Sequence, residues 1–200
     1  MALSQIEKIN LFLEEGICLD TKTIEVSGDV DEEMYKKVVK GMHILNQSPG
    51  QVTIYLNSTG GSVTQAKAIY DIIKNSTNYT EIVVIGEAVS AATIILMAGD
   101  SRVMTENTNL MLHSGSESAS DMKPRDFDAL QKQYRADEEF MYSVYAERLN
   151  EKKIKDKKKK LTNEDVKILL TNDFYMTSEE ALKLGLISKI GHKIWLIETN

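Results

Sequence analysis

Residues 85–100 read IGEAVSAATIILMAGD. The apolar, β-branched run EIVVIG (81–86) leads in, and the apolar run IILMAG (94–99) leads out. The first pattern suits a buried strand and the second a helix that ends at Gly99, so a strand-to-helix junction is predicted between them. Ser90 is a lone hydroxyl among alanines at that junction. It is either a small residue that eases packing or caps the helix, or a nucleophile. The second role would use the unpaired N–H groups and positive dipole end of the helix to stabilise negative charge. On this stretch alone the packing role is favoured.

The same alternation extends on both sides. KTIEVSGDV (22–30) reads as a strand, and DEEMYKKVVKGMHILNQ (31–47) puts Met34, Val38, Met42 and Leu45 on one helix face. SPGQ (48–51) breaks that helix before the strand-like VTIYLNS (52–58), the turn TGGS (59–62) and the helical VTQAKAIYDIIKNS (63–76). NLMLHSG (109–115) begins as a further short strand. Strands alternating with helices imply an α/β fold with a mostly parallel sheet and helices outside it. The longest helical pattern runs over 124–150, where Leu130, Tyr134, Met141, Tyr145 and Leu149 fall four or seven apart and make one apolar stripe. Such a stripe serves either the core or a contact between subunits. EKKIKDKKKK (151–160) carries seven lysines against two acids and reads as a solvated insert, about 151–162, rather than a basic patch for an acidic partner. DFYMTSEEALKLGLISKIG (173–191) reads as a loop, a short helix and a final strand over LISKI. Thr177 or Ser178 would cap that helix with Glu180 near the capping-box position, and Gly185 would end it.

Two hundred residues fit a single domain over 1–200. Hydrophobic content of 42% and charged content of 27% match a soluble globular protein. No apolar stretch approaches the ~18 residues of a membrane span, and the first residues lack the basic-then-apolar order of a secretory signal. Cys18 is the single cysteine, so no internal disulfide forms; it reads as a small buried apolar residue in a reducing compartment. Net charge of −6 argues against nucleic acid as the main partner. A cytoplasmic protein is expected.

The double glycine of NSTGGSV (57–63) gives backbone freedom after a buried strand, where open α/β sheets bind ligands. It matches neither a P-loop nor a dinucleotide fingerprint. Of the three histidines, His43 lies in an amphipathic helix and His192 near the C-terminus, whereas His113 emerges at a strand end. That makes His113 the best general-base candidate for a serine nucleophile. A carboxylate usually orients such a base; Asp173 is one of 30 acidic residues and spacing alone does not select it. One cysteine and no paired metal-ligand spacing argue against a metal, and no cofactor is expected.

The order of NSTGGSV, GEAVSAAT…LMAGD, NLMLH and NDFYMTSEEALKLGLI resembles the ClpP family, the proteolytic subunits of the Clp protease. The resemblance covers roughly residues 22–190 and leaves 1–21 as a divergent N-terminal segment. It implies a crotonase-like α/β fold in which 124–150 is a protruding helical handle. It also implies a serine endopeptidase with Ser90 as nucleophile, His113 as base, Asp173 as orienting acid and the N–H groups of Gly61 and Ala91 as oxyanion hole. Peptide or unfolded protein would be the substrate, within a homo-oligomer of heptameric rings, single or stacked, fed by an AAA+ unfoldase. An extended substrate would pair with backbone near Ser62, Val63, Ser114 and Gly115 by strand addition. The sequence departs from the family at STGG for SPGG, VSAAT for ASMGA and HSG for HQP. Two rival readings are a non-catalytic ring subunit and a crotonase-superfamily enzyme acting on another acyl substrate.

Overall fold

The computed structural model describes residues 3–114 and 124–191, with the side chains of 124–127 left aside. Helix α1 (Gln5–Glu15) starts at a capping box of Ser4 and Glu7 and stops at Gly16, whose φ is 66°. Strand β1 (Ile17–Cys18) pairs antiparallel with β2 (Thr23–Val30). The expected alternation follows in α2 (Glu32–Leu45), β3 (Val52–Gly61), α3 (Val63–Lys74), β4 (Thr80–Val89), α4 (Ala91–Ala98) and β5 (Ser101–Met104). From β2 onward the main sheet runs β2, β3, β4, β5 and β8 (Lys189–Ile190), every neighbouring pair parallel. Each parallel neighbour needs a crossover, which the intervening helices supply. The molecule is α/β, with a mostly parallel sheet and flanking helices.

The sheet forks at β4. Glu81–Val84 pair with β5, whereas Glu87–Val89 pair with β6 (Asn109–Leu112). Gly86 stands at the fork with φ 89°, and a Cβ there would lie 2.6 Å from the Asn57 Oδ1 that accepts from the Glu87 N–H. Strand β6 then pairs antiparallel with β7 (Phe174–Thr177). This branch carries the candidate catalytic groups.

Helix α4 is apolar apart from Thr93, and each of its eight residues is buried. It packs between the sheet and two further helices, α3 and α5 (Pro124–Lys155). Its last carbonyls accept from the buried Arg148 of α5, whose Nε lies 2.8 Å from Met97 O. A cation at that end also suits the helix dipole.

With 32 residues, α5 spans about 48 Å at 1.5 Å per residue. Met141, Tyr145 and Leu149 are buried in the core, while Leu130 and Tyr134 are half-buried among exposed neighbours. The apolar stripe therefore serves the core in its second half, and the first half stands out from it. The helix runs on to Lys155, so the start of the lysine-rich stretch is helical. Lys155 and Lys157–Lys160 are exposed. The Asn150 side chain then binds both backbone groups of Leu161, which steers the chain into α6 (Asn163–Leu169). Helix α7 (Ser178–Leu184) starts at Thr177 with Glu180 completing the capping box and ends at Gly185, φ 92°.

Four local expectations are corrected. Gly60 and Gly61 are the last residues of β3, paired with Asp29 and Val30, so the double glycine lies in a strand and not in a turn. Residues 174–177 form β7 where a loop was expected, because β6 offers them an edge and Met176 points inward. The final strand is Lys189–Ile190, shorter than LISKI. Cys18 is half-buried on the short edge strand β1, not enclosed in the core.

Candidate active site

Ser90 is the one-residue joint between β4 and α4. Its φ of 55° and ψ of −126° form a backbone state that costs a non-glycine residue about 1–3 kcal/mol and persists only when its surroundings over-determine it. The side chain makes no capping hydrogen bond to α4. Its Oγ lies 2.6 Å from His113 Nε2. The capping reading of Ser90 is therefore replaced by a serine–histidine pair.

Sheet register brings the pair together. In the parallel β4–β6 ladder Val89 faces Met111, and the Ser90 N–H donates to Met111 O at 2.9 Å. His113 follows two residues later, at the end of β6. The antiparallel β6–β7 ladder matches Leu112 with Phe174, and continuing it by one residue puts Asp173 opposite His113. Asp173 Oδ1 stands 3.7 Å from His113 Nδ1, within ion-pair range but beyond a hydrogen bond, and its side chain is 60% exposed. The structure thus joins Ser90 and His113 tightly and leaves Asp173 close but loose.

Ala91, 1% exposed, opens α4, so its N–H has no carbonyl four residues back within the helix. The end of β3 lies against this junction. A Cβ on Gly60 would sit 2.7 Å from Val89 O, 2.8 Å from Ser90 Cβ and 3.1 Å from Ala91 N. Only a glycine allows that approach at φ 100°. Gly61 is exposed beside it, at φ 146°, against the backbone of Val30.

These groups border a cleft of about 370 Å³ lined by Gly61, Ser62, Val63, Ser90, His113 and Ser114 on one side. Ser62 is also structural, because its Oγ accepts from the Gln65 N–H as the N-cap of α3. The Ser114 carbonyl already accepts from Tyr134 Oη at 3.1 Å, so one of the backbone groups expected to pair with a substrate is engaged. Gly115 lies outside the described residues. The other wall comes from α5, through Tyr134, Asp137, Glu138 and Met141. Lys67 binds Asp137 at 2.8 Å, and Tyr142 Oη donates to Glu138 at 3.1 Å. The sequence marked Tyr134 and Met141 only as members of a helical stripe; no local signal says which face meets the cleft. Gly60 was likewise visible as half of a double glycine, but its contact with Ser90 is tertiary. A hydroxyl within hydrogen-bond reach of an imidazole, beside a helix start and a glycine strand end, can support acyl transfer.

The sequence model of the Clp protease family matches residues 16–193. The chain is 28% identical over 179 residues to the ATP-dependent Clp protease proteolytic subunit of Deinococcus radiodurans, covering 86% of this chain and 81% of that protein. It is 29% identical over 179 residues to proteolytic subunit 2 of Pseudomonas aeruginosa, covering 86% and 82%. A mutant of ClpP1 from Listeria monocytogenes superposes with a TM-score of 0.76 at 23% identity, over 92% of this chain and 96% of that one, which shows a shared fold.

Proposed function

The chain belongs to the Clp protease family, and from that premise we propose that it is a serine endopeptidase whose nucleophile is Ser90. The observation that carries the reading is the 2.6 Å contact between Ser90 Oγ and His113 Nε2 at a serine held in a strained backbone state. His113 takes the hydroxyl proton as Oγ attacks the scissile carbonyl. The N–H groups of Gly61 and Ala91 receive the oxyanion; in comparable sites one donor contributes roughly 2.7–4 kcal/mol. His113 then protonates the leaving amine, and water, activated by the same imidazole, hydrolyses the acyl-enzyme. Asp173 steadies the imidazolium, closing from 3.7 Å to hydrogen-bond distance. The cleft takes an extended peptide between Ser62–Val63 and Ser114, with α5 as its outer wall. The working particle is a homo-oligomeric ring or stacked double ring in the cytoplasm, supplied with unfolded chains by an AAA+ partner. Among the described residues no helix is long and apolar enough to cross a membrane.

A fluorophosphonate probe tests the assignment. Labelling that maps to Ser90 by mass spectrometry and vanishes in Ser90→Ala supports it. An unlabelled wild type, with Ser90→Ala leaving peptide hydrolysis unchanged, would sink it. The exposure of Asp173 favours one second reading, a ring subunit without activity of its own. In that case Asp173→Asn changes nothing, whereas in a working triad it lowers kcat by about 10⁴.

A further inference from the structure

Two buried hydroxyls beside the nucleophile have no part in the chemistry above. Thr93 Oγ1 lies 2.6 Å from Ser90 O and 2.6 Å from Tyr145 Oη. Thr93 is 0% exposed and Tyr145 1%. We propose that Thr93 and Tyr145 are positioning residues, whose linked hydroxyls hold the Ser90 peptide in its strained state and so keep Oγ at His113. The inference rests on the reading of Ser90 as nucleophile.

The proton count fixes the direction of the hydrogen-bond chain. Ser90 O can only accept, so the single Thr93 hydroxyl proton is committed to it. Tyr145 must then donate to Thr93 Oγ1. Two short hydrogen bonds in series inside a dry core polarise each other. Burial pushes the Tyr145 hydroxyl up to about 12, so it remains a donor throughout the neutral range.

These bonds act on the backbone of the nucleophile. The Ser90 N–H is tied to Met111 O, which constrains one side of the residue. Its carbonyl takes two donors, the Thr93 N–H at 2.9 Å and Thr93 Oγ1, which constrains the other. With both peptide planes held, φ and ψ are fixed and so is the direction of Cβ. A threonine in the first turn of a helix commonly bonds back to a nearby carbonyl. A tyrosine reaching in from another helix, 52 positions away, is not local behaviour. It makes the nucleophile's conformation depend on where α5 sits. Helix α5 also holds the base side, since Tyr134 Oη donates to Ser114 O, next to His113.

The test compares wild type, Thr93→Val, Thr93→Ser and Tyr145→Phe in the assembled protein. It measures the rate of fluorophosphonate labelling and the kcat and KM of a fluorogenic peptide. Thr93→Val should slow labelling and kcat by between about tenfold and a hundredfold with KM unchanged. Thr93→Ser should restore most of the rate, and Tyr145→Phe should fall between. If wild type is labelled and both Thr93→Val and Tyr145→Phe react at the wild-type rate, the positioning role is overturned whatever happens to their melting temperatures. If Thr93→Val does not fold, Tyr145→Phe decides alone by the same rate. An unlabelled wild type overturns the nucleophile and the positioning role together.

Discussion

Ser90 tolerates φ 55° because its neighbours leave it no alternative. One peptide plane is bonded to Met111 and the other to Thr93, and Gly60 lies against its Cβ. Gly60 is therefore as much a part of the site as the residues with functional groups. In Gly60→Ala the new Cβ would meet Val89 O at 2.7 Å and Ser90 Cβ at 2.8 Å, both on the junction itself. The left-handed φ adds strain of about 1–3 kcal/mol. The variant should lose at least that much stability in urea unfolding, and peptide hydrolysis should fall by about tenfold or more as Ser90 is displaced. Wild-type activity in Gly60→Ala would contradict the close approach. Ser62 contrasts with it: its hydroxyl is occupied as the cap of α3, so its part in the proposed strand addition falls to its backbone.

At the scale of elements, the site is a product of strand register. Ser90, His113 and Asp173 each sit at the end of a segment, and the β4–β6 and β6–β7 ladders bring those ends together. Ser90 and His113 were legible in the sequence as unusual residues at strand ends. Asp173 was not selected by spacing, because its place depends on which strand pairs with β6, a non-local choice. Helix α5 supplies the remaining contacts, and its seam with α4 contains the Thr93–Tyr145 pair. This seam has a pH signature. The unfolded chain loses the Tyr145 proton near pH 10, whereas the folded chain keeps it to about 12. Above pH 10 the unfolded state binds fewer protons, so stability contributed by the neutral hydroxyl declines as pH rises through that window. Tyr145→Phe has no proton to lose. Urea titrations of both proteins should show the wild type losing ground to the variant by about 2 kcal/mol between pH 10 and pH 12. A stability gap that stays constant across that range would refute a buried neutral tyrosine.

For the whole molecule, the decisive feature is that α5 belongs to the core at one end and stands clear of it at the other. The family membership and this exposed half-helix lead to the expectation of an assembly. Light scattering should give a mass several times 22.5 kDa, and a stable, active monomer would count against the ring. The sequence by itself determined the α/β class, the alternation of elements, the capped helices and the order of motifs that marks the family. These follow from short-range physics: hydrophobic period, β-branched runs, and cap and glycine chemistry act within one turn or one strand. Tertiary structure alone decided that the double glycine ends a strand against the nucleophile, that 174–177 form a strand opposite β6, and that one apolar stripe divides between core and surface. It also decided that Tyr145 reaches Thr93. Each depends on which distant segment becomes a neighbour, and chain spacing carries no information about that until the sheet has formed.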